Sequence, residues 1–92
     1  MSKPDVLERA VDTFGTVSQM IVSIEEMSEL QKELCKHLRG SDNKDAIAEE
    51  IADVEIMLDQ LKLIFNCRYQ VIDWRTKKLS RLEDRIKAAT NP

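Results

Sequence analysis

Ninety-two residues leave room for one domain with a modest core, so 1–92 reads as a single unit. Hydrophobic residues make up 42% and charged ones 34%, with two glycines and two prolines, a composition that favours an all-α protein over a sheet or a disordered chain. A net charge of −3 excludes an overall positive field that would draw in a nucleic acid polymer or an anionic membrane surface.

Four helices are expected. Pro4 suits a first helical position, and Leu7, Ala10, Val11 and Phe14 then follow the i, i+3, i+4, i+7 rule until Gly15 supplies a stop. Thr16 with Gln19 has the form of a capping box opening a long second helix, whose apolar stripe is Met20, Ile21, Ile24, Met27, Leu34 and Leu38 and whose end is Gly40. Ser41-Asp42-Asn43 offers N-caps for a third helix carrying Ile47, Ile51, Val54, Leu58, Leu61 and Phe65, with Asp45 complementing its dipole and Asn66 ending it. A fourth helix, from about Gln70 to Ala88, presents Ile72, Leu79, Leu82 and Ile86, and Thr90-Asn91-Pro92 should fray.

The start Met1-Ser2-Lys3-Pro4-Asp5 has no secretory hydrophobic segment, and runs such as Leu63-Ile64-Phe65 are far too short to span a bilayer. No membrane association and a cytoplasmic location are expected. Cys35 and Cys67 match no C-x-x-C motif and cannot form a disulfide framework; Cys35 is expected in the core and Cys67 in a turn.

Two acid pairs stand out, Glu26-x-x-Glu29 on the second helix and Glu50-x-x-Asp53 on the third. A spacing of three puts both acids of a pair on one helix face, roughly 5–6 Å apart. The short turn at 41–43 makes helices 2 and 3 an antiparallel hairpin, and Glu29 and Asp53 lie at similar distances from it, so the pairs come level. Glu50 projects between Met57 and Leu61 inside the apolar arc, Asp53 beside Ile64 at its margin, and Glu26 next to Leu30, with Glu29 farther round. A single E-x-x-E is ordinarily a solvated face. Two matched pairs with one acid inside an apolar arc favour a cation site instead, because converging carboxylates repel unless a cation neutralises them. All-oxygen ligation suits Mg²⁺, with Mn²⁺ the alternative. A di-iron carboxylate centre would want Glu-x-x-His pairs, and the only histidine, His37, does not follow a glutamate by three.

Helix 4 carries a second constellation, in which Trp74, Lys78, Arg81 and Arg85 form a basic stripe beside the apolar arc. These side chains either snorkel over the core and pair with acids such as Glu83 and Asp84 or hold phosphate oxygens. Trp74 can stack on a base or pack, and Gln19 can read a base edge or cap its helix. Helix 3 also has a second apolar strip, Ala52, Ile56 and Leu63, roughly opposite the first, with Val22 on the outer side of helix 2. Apolar surface on two faces calls for burial on both, hence a homodimer or homotetramer.

At Glu25-Glu26-Met27-Ser28-Glu29-Leu30 followed by Glu49-Glu50-Ile51-Ala52-Asp53-Val54, the chain resembles the MazG-like all-α nucleoside triphosphate pyrophosphohydrolases. The likeness implies a four-helix MazG-like bundle built around the antiparallel hairpin and completed by oligomerisation. It also implies cleavage of a nucleoside triphosphate between its α and β phosphates, with Mg²⁺ bound by Glu26, Glu29, Glu50 and Asp53. Glu26 or Glu29 would orient or deprotonate the attacking water, and Lys78 and Arg81 would contact phosphate, reaching a site in a neighbouring subunit. Relatives carrying an asparagine shortly before that lysine differ from this chain, which has Arg75-Thr76-Lys77 there. Two other readings compete: a non-catalytic helical adaptor in which the acids serve solubility and register, and a phosphoribosyl-ATP pyrophosphohydrolase.

Overall fold

The computed structural model describes residues 3–90, with side chains from Val6 onward; of the end expected to fray, Thr90 is still helical, while Asn91 and Pro92 lie outside the described residues. Helices α1 (Lys3–Phe14), α2 (Thr16–Leu38), α3 (Lys44–Phe65) and α4 (Arg68–Thr90) follow one another through very short connections, with no strand among the described residues. No helix among the described residues is long and apolar enough to cross a membrane.

Each boundary has a local cause. Gly15 sits at φ 91° and ψ 151°, a conformation open essentially only to glycine, which turns the chain from α1 into α2. Gly15 is therefore the N-cap of α2, and the expected Thr16–Gln19 capping box does not form: Thr16 is already helical, no side-chain cap bond exists, and Gln19 is buried. Gly40 at φ 102° accompanies the turn after α2. Asn43 precedes α3 as expected, yet it makes no cap bond; its Nδ2 donates instead to the Glu33 carbonyl at 2.9 Å, tying the turn to α2. Asn66 ends α3 in the left-handed conformation, φ 48° and ψ 48°, which asparagine tolerates best among residues with a side chain.

The α2–α3 hairpin is the body of the molecule, and α1 lies across both of its helices. On α3, Ala46, Ile47, Glu50, Asp53, Val54, Met57, Gln60, Leu61 and Ile64 are at least partly withdrawn from solvent along a heptad seam, and Asp59, Lys62 and Leu63 are partly withdrawn beside it near the α1 end. On α2 they include Gln19, Ser23, Glu26, Leu30 and Glu33, with the same 4-3-4-3 spacing but a largely polar character. This overturns the expected packing of α2. Its apolar stripe lies about 100° away from the seam, so Ile21, Ile24, Met27, Leu34 and Leu38 remain exposed. Cys35 is exposed with them, not in the core, while Cys67 does lie at a turn.

Helix α4 packs only against α3, and every residue from Ile72 to Thr90 is exposed, including Ile72, Leu79, Leu82 and Ile86. At 1.5 Å per residue it is about 34 Å long. The radius of gyration is 16.8 Å, against about 12 Å for a compact domain of this length. A single chain is all-helical but does not close a four-helix bundle.

Candidate metal centre

Glu26 on α2 and Glu50 and Asp53 on α3 come together at one level of the seam. Each offers a carboxylate oxygen within 4.8 Å of the others, close enough for one divalent cation to touch all three. All three are half-buried, which follows from the heptad seam: positions 26, 50 and 53 face the opposite helix, and the bonded Asn43–Glu33 turn fixes the register between them.

The electrostatics are those of a charge cluster lacking a counter-ion. Withdrawal from water pushes the Glu26 carboxyl above its usual range, and the charges of Asp53 and Glu50, a hydrogen bond shared with Asp53, and the charge of Glu29 push it the same way. Glu50 is raised first by desolvation and then by Asp53, Glu29, Glu49 and Glu33. Its Oε2 is buried with no hydrogen-bond donor. A negatively charged oxygen in that position is costly unless a proton or a cation joins it. The donor set, three hard oxygens, fits Mg²⁺ or Mn²⁺.

Glu29, the fourth acid of the sequence motif, is exposed and stands outside the group of three, although its charge reaches both Glu26 and Glu50. Comparisons with protein-family models, curated proteins and solved structures return no match.

The residues expected to meet phosphate lie elsewhere. Lys78 and Arg81 are exposed on α4, which makes no contact with α2, so a single chain does not bring them to the acids. Trp74 is exposed too, with Lys77 Nζ 5.1 Å and Lys78 Nζ 5.9 Å from its ring centroid; both lysines rest on the surface a base would use. Gln19 is on the seam, 7% exposed, on the same face as Glu26 and two helical turns from it.

Sequence reasoning missed two residues that share this seam. Ser23, 1% exposed, donates its hydroxyl to the Gln19 carbonyl at 2.9 Å, and Gln60, 4% exposed, has its Oε1 buried without a partner. Their signal was present as a second heptad, 19/23/26/30/33 against 46/50/53/57/60/64, overshadowed by the stronger apolar stripe beside it.

Proposed function

We propose that the chain is a Mg²⁺-dependent nucleoside triphosphate pyrophosphohydrolase of the MazG-like type, cleaving the α–β anhydride to a nucleoside monophosphate and pyrophosphate. The observation that carries this reading is the three-carboxylate cluster with the unpaired Glu50 Oε2. Such a cluster has little structural use, and the motif that supplies it is the one the resemblance rests on.

Glu26, Glu50 and Asp53 would hold the cation, which when bound would neutralise charge on the triphosphate. Glu29, exposed beside the cluster, is placed to orient the attacking water and take its proton, with Glu26 the alternative. The water oxygen bonds to phosphorus, the anhydride bond breaks, and pyrophosphate leaves with the electron pair.

The phosphate contacts come from a second copy. Helix α4 holds seven lysines and arginines against three acids, leaving seven basic and fourteen acidic residues in the rest of the chain. An exposed basic helix with an uncovered apolar stripe thus matches an acidic body whose α2 stripe is also uncovered. In a homodimer or homotetramer paired this way, Lys78 and Arg81 of one copy reach the triphosphate held by the other, with Trp74 beside its base. This pairing also supplies the missing helices of the bundle.

Pyrophosphate release from a panel of nucleoside triphosphates with Mg²⁺ tests the reading. Activity should fall by more than about a hundredfold in Asp53→Asn, with the helical content unchanged. Lys78→Ala should lower activity while leaving magnesium-induced thermal stabilisation intact. The uncovered stripes alone favour the competing reading, a non-catalytic helical oligomerisation module, which is what remains if neither metal nor nucleotide gives any response. A phosphoribosyl-ATP substrate would show itself as activity on that compound alone.

A further inference from the structure

The start of α4 reads Arg68-x-x-Val71-Ile72-x-x-Arg75, which sets an apolar turn between two arginines on one helix face, because steps of three, four and seven residues return to the same side. Asp59, Lys62 and Leu63 share a face of α3 by the same rule. These two faces and Leu7 of α1 line a hollow of about 480 Å³, inside the range of about 300–1,000 Å³ usual for small-molecule sites. Leu7, Leu63, Val71 and Ile72 form its apolar lining, and Asp59, Lys62, Arg68 and Arg75 supply the charge. It is separate from the acid cluster. None of Glu26, Glu50 and Asp53 lines it, and the face of Asp59, Lys62 and Leu63 is turned from the seam by roughly 100° or more, with Lys62 about 13 Å along the axis from Asp53.

Charge decides what fits the hollow. Lys62 Nζ donates to Asp59 Oδ1 at 3.4 Å, and Asp59 is the one acid among the described lining residues. Arg68 and Arg75 form no ion pair with any described residue, although acids outnumber basic residues 17 to 14 in the chain. A guanidinium fork matches a head group that presents two oxygens, and the apolar lining favours a carbon body attached to it. A bare inorganic ion would leave that lining wet, and a neutral apolar molecule would leave the arginines uncompensated. The exposed stripes available to a second copy, Ile24 and Leu34 on α2 and Leu79 and Leu82 on α4, lie outside this lining.

We propose that the hollow is a binding site for a small organic anion, with a carboxylate or phosphate head held by Arg68 and Arg75 and an apolar body laid against Leu7, Leu63, Val71 and Ile72. Helix α4 packs only against α3, so an anion that also meets Lys62 gives α4 a second attachment to the body. The site goes beyond the nucleotide reading and stands or falls without it.

The test titrates the full chain, without metal, with octanoate and octyl phosphate below their micelle concentrations, following side-chain methyl signals by NMR. Acetate, which keeps the head, and octan-1-ol, which keeps the tail, are the controls. Octanoate or octyl phosphate should bind, with shifts centred on Leu7, Leu63, Val71 and Ile72, and the tighter of the two identifies the preferred head. Acetate and octanol should each bind about tenfold more weakly or worse. Arg68→Gln and Arg75→Gln should each weaken the anion by about tenfold, the loss expected for one charge-assisted hydrogen bond, whereas Arg85→Gln, farther along α4 and outside the hollow, should leave it unchanged. Both substitutions are on exposed positions, and either one decides. Octanol binding as well as octanoate, anion binding indifferent to both arginines, or shifts centred on Leu34 and Leu79 would each overturn the proposal. So would a hollow filled by a second copy, seen as no anion binding together with a lower light-scattering mass for Arg75→Gln.

Discussion

Glu50 places one carboxylate oxygen where neither water nor a protein donor reaches it, beside Asp53 on its own helix and Glu26 on the next. Neutralising it by substitution should therefore help the metal-free fold and harm the loaded one. Glu50→Gln is expected to raise the melting temperature without metal and to abolish the rise that Mg²⁺ or Mn²⁺ produces in wild type. Thermal melts with and without each ion check both halves, and a variant that melts lower without metal would mean that the charge is structurally paired. The pH dependence has a definite sign. Glu26 and Glu50 both have raised folded pKa values. A carboxyl raised on folding contributes stability that is fully present below its unfolded pKa and lost as pH rises through the folded one. The metal-free protein should thus lose stability as pH climbs out of the usual carboxylate range, while the metal-induced stabilisation grows over the same interval because the cation displaces the retained protons. A metal response independent of pH there would break the link between these two groups and the ion.

Among the elements, the junctions make the sharpest demands on residue type. Gly15→Ala should cost about 1–3 kcal/mol, since φ 91° with ψ 151° suits no residue with a Cβ, even though the added carbon would meet nothing within 4 Å. Asn66→Gly should be neutral or slightly stabilising by comparison, and urea denaturation of the two variants checks the contrast. These junctions were legible in the sequence, because Gly15, Gly40 and Asn66 interrupt periodic segments, and helix ends fell within about two residues of those expected. The level of Glu26 with Glu50 and Asp53 was legible too, since a turn this short leaves one register. The packing face of α2 was not. A reading by periodicity takes the most apolar stripe as the inward one, which is sound for a helix that buries its own core. Here Gln19, Ser23 and Glu26 face α3, and Ile21 and Ile24 face outward. Gln60 was invisible for the same reason, lying in a heptad whose polarity disguised its burial.

At the scale of the whole molecule, α2 and α4 each leave an apolar stripe uncovered, more than a lone chain of this size would ordinarily expose. In light scattering the chain should run as a dimer or tetramer at micromolar concentration. Ile24→Asp, on the outer stripe and off the seam, should push it towards monomer and lower its melting temperature, whereas Glu55→Ala, on an exposed polar position, should do neither. A monomeric wild type would remove the route proposed for bringing Lys78 and Arg81 to a triphosphate. The uneven distribution of charge has one more consequence. Two copies carry the same net charge of −3 and should repel at long range, but the cationic rod of one confronts the anionic flank of the other once they turn. Local attraction then outweighs global repulsion inside a Debye length, about 10 Å at 0.1 M ionic strength. Withdrawing salt should accordingly quicken assembly, the opposite of what the sign of the net charge alone would dictate.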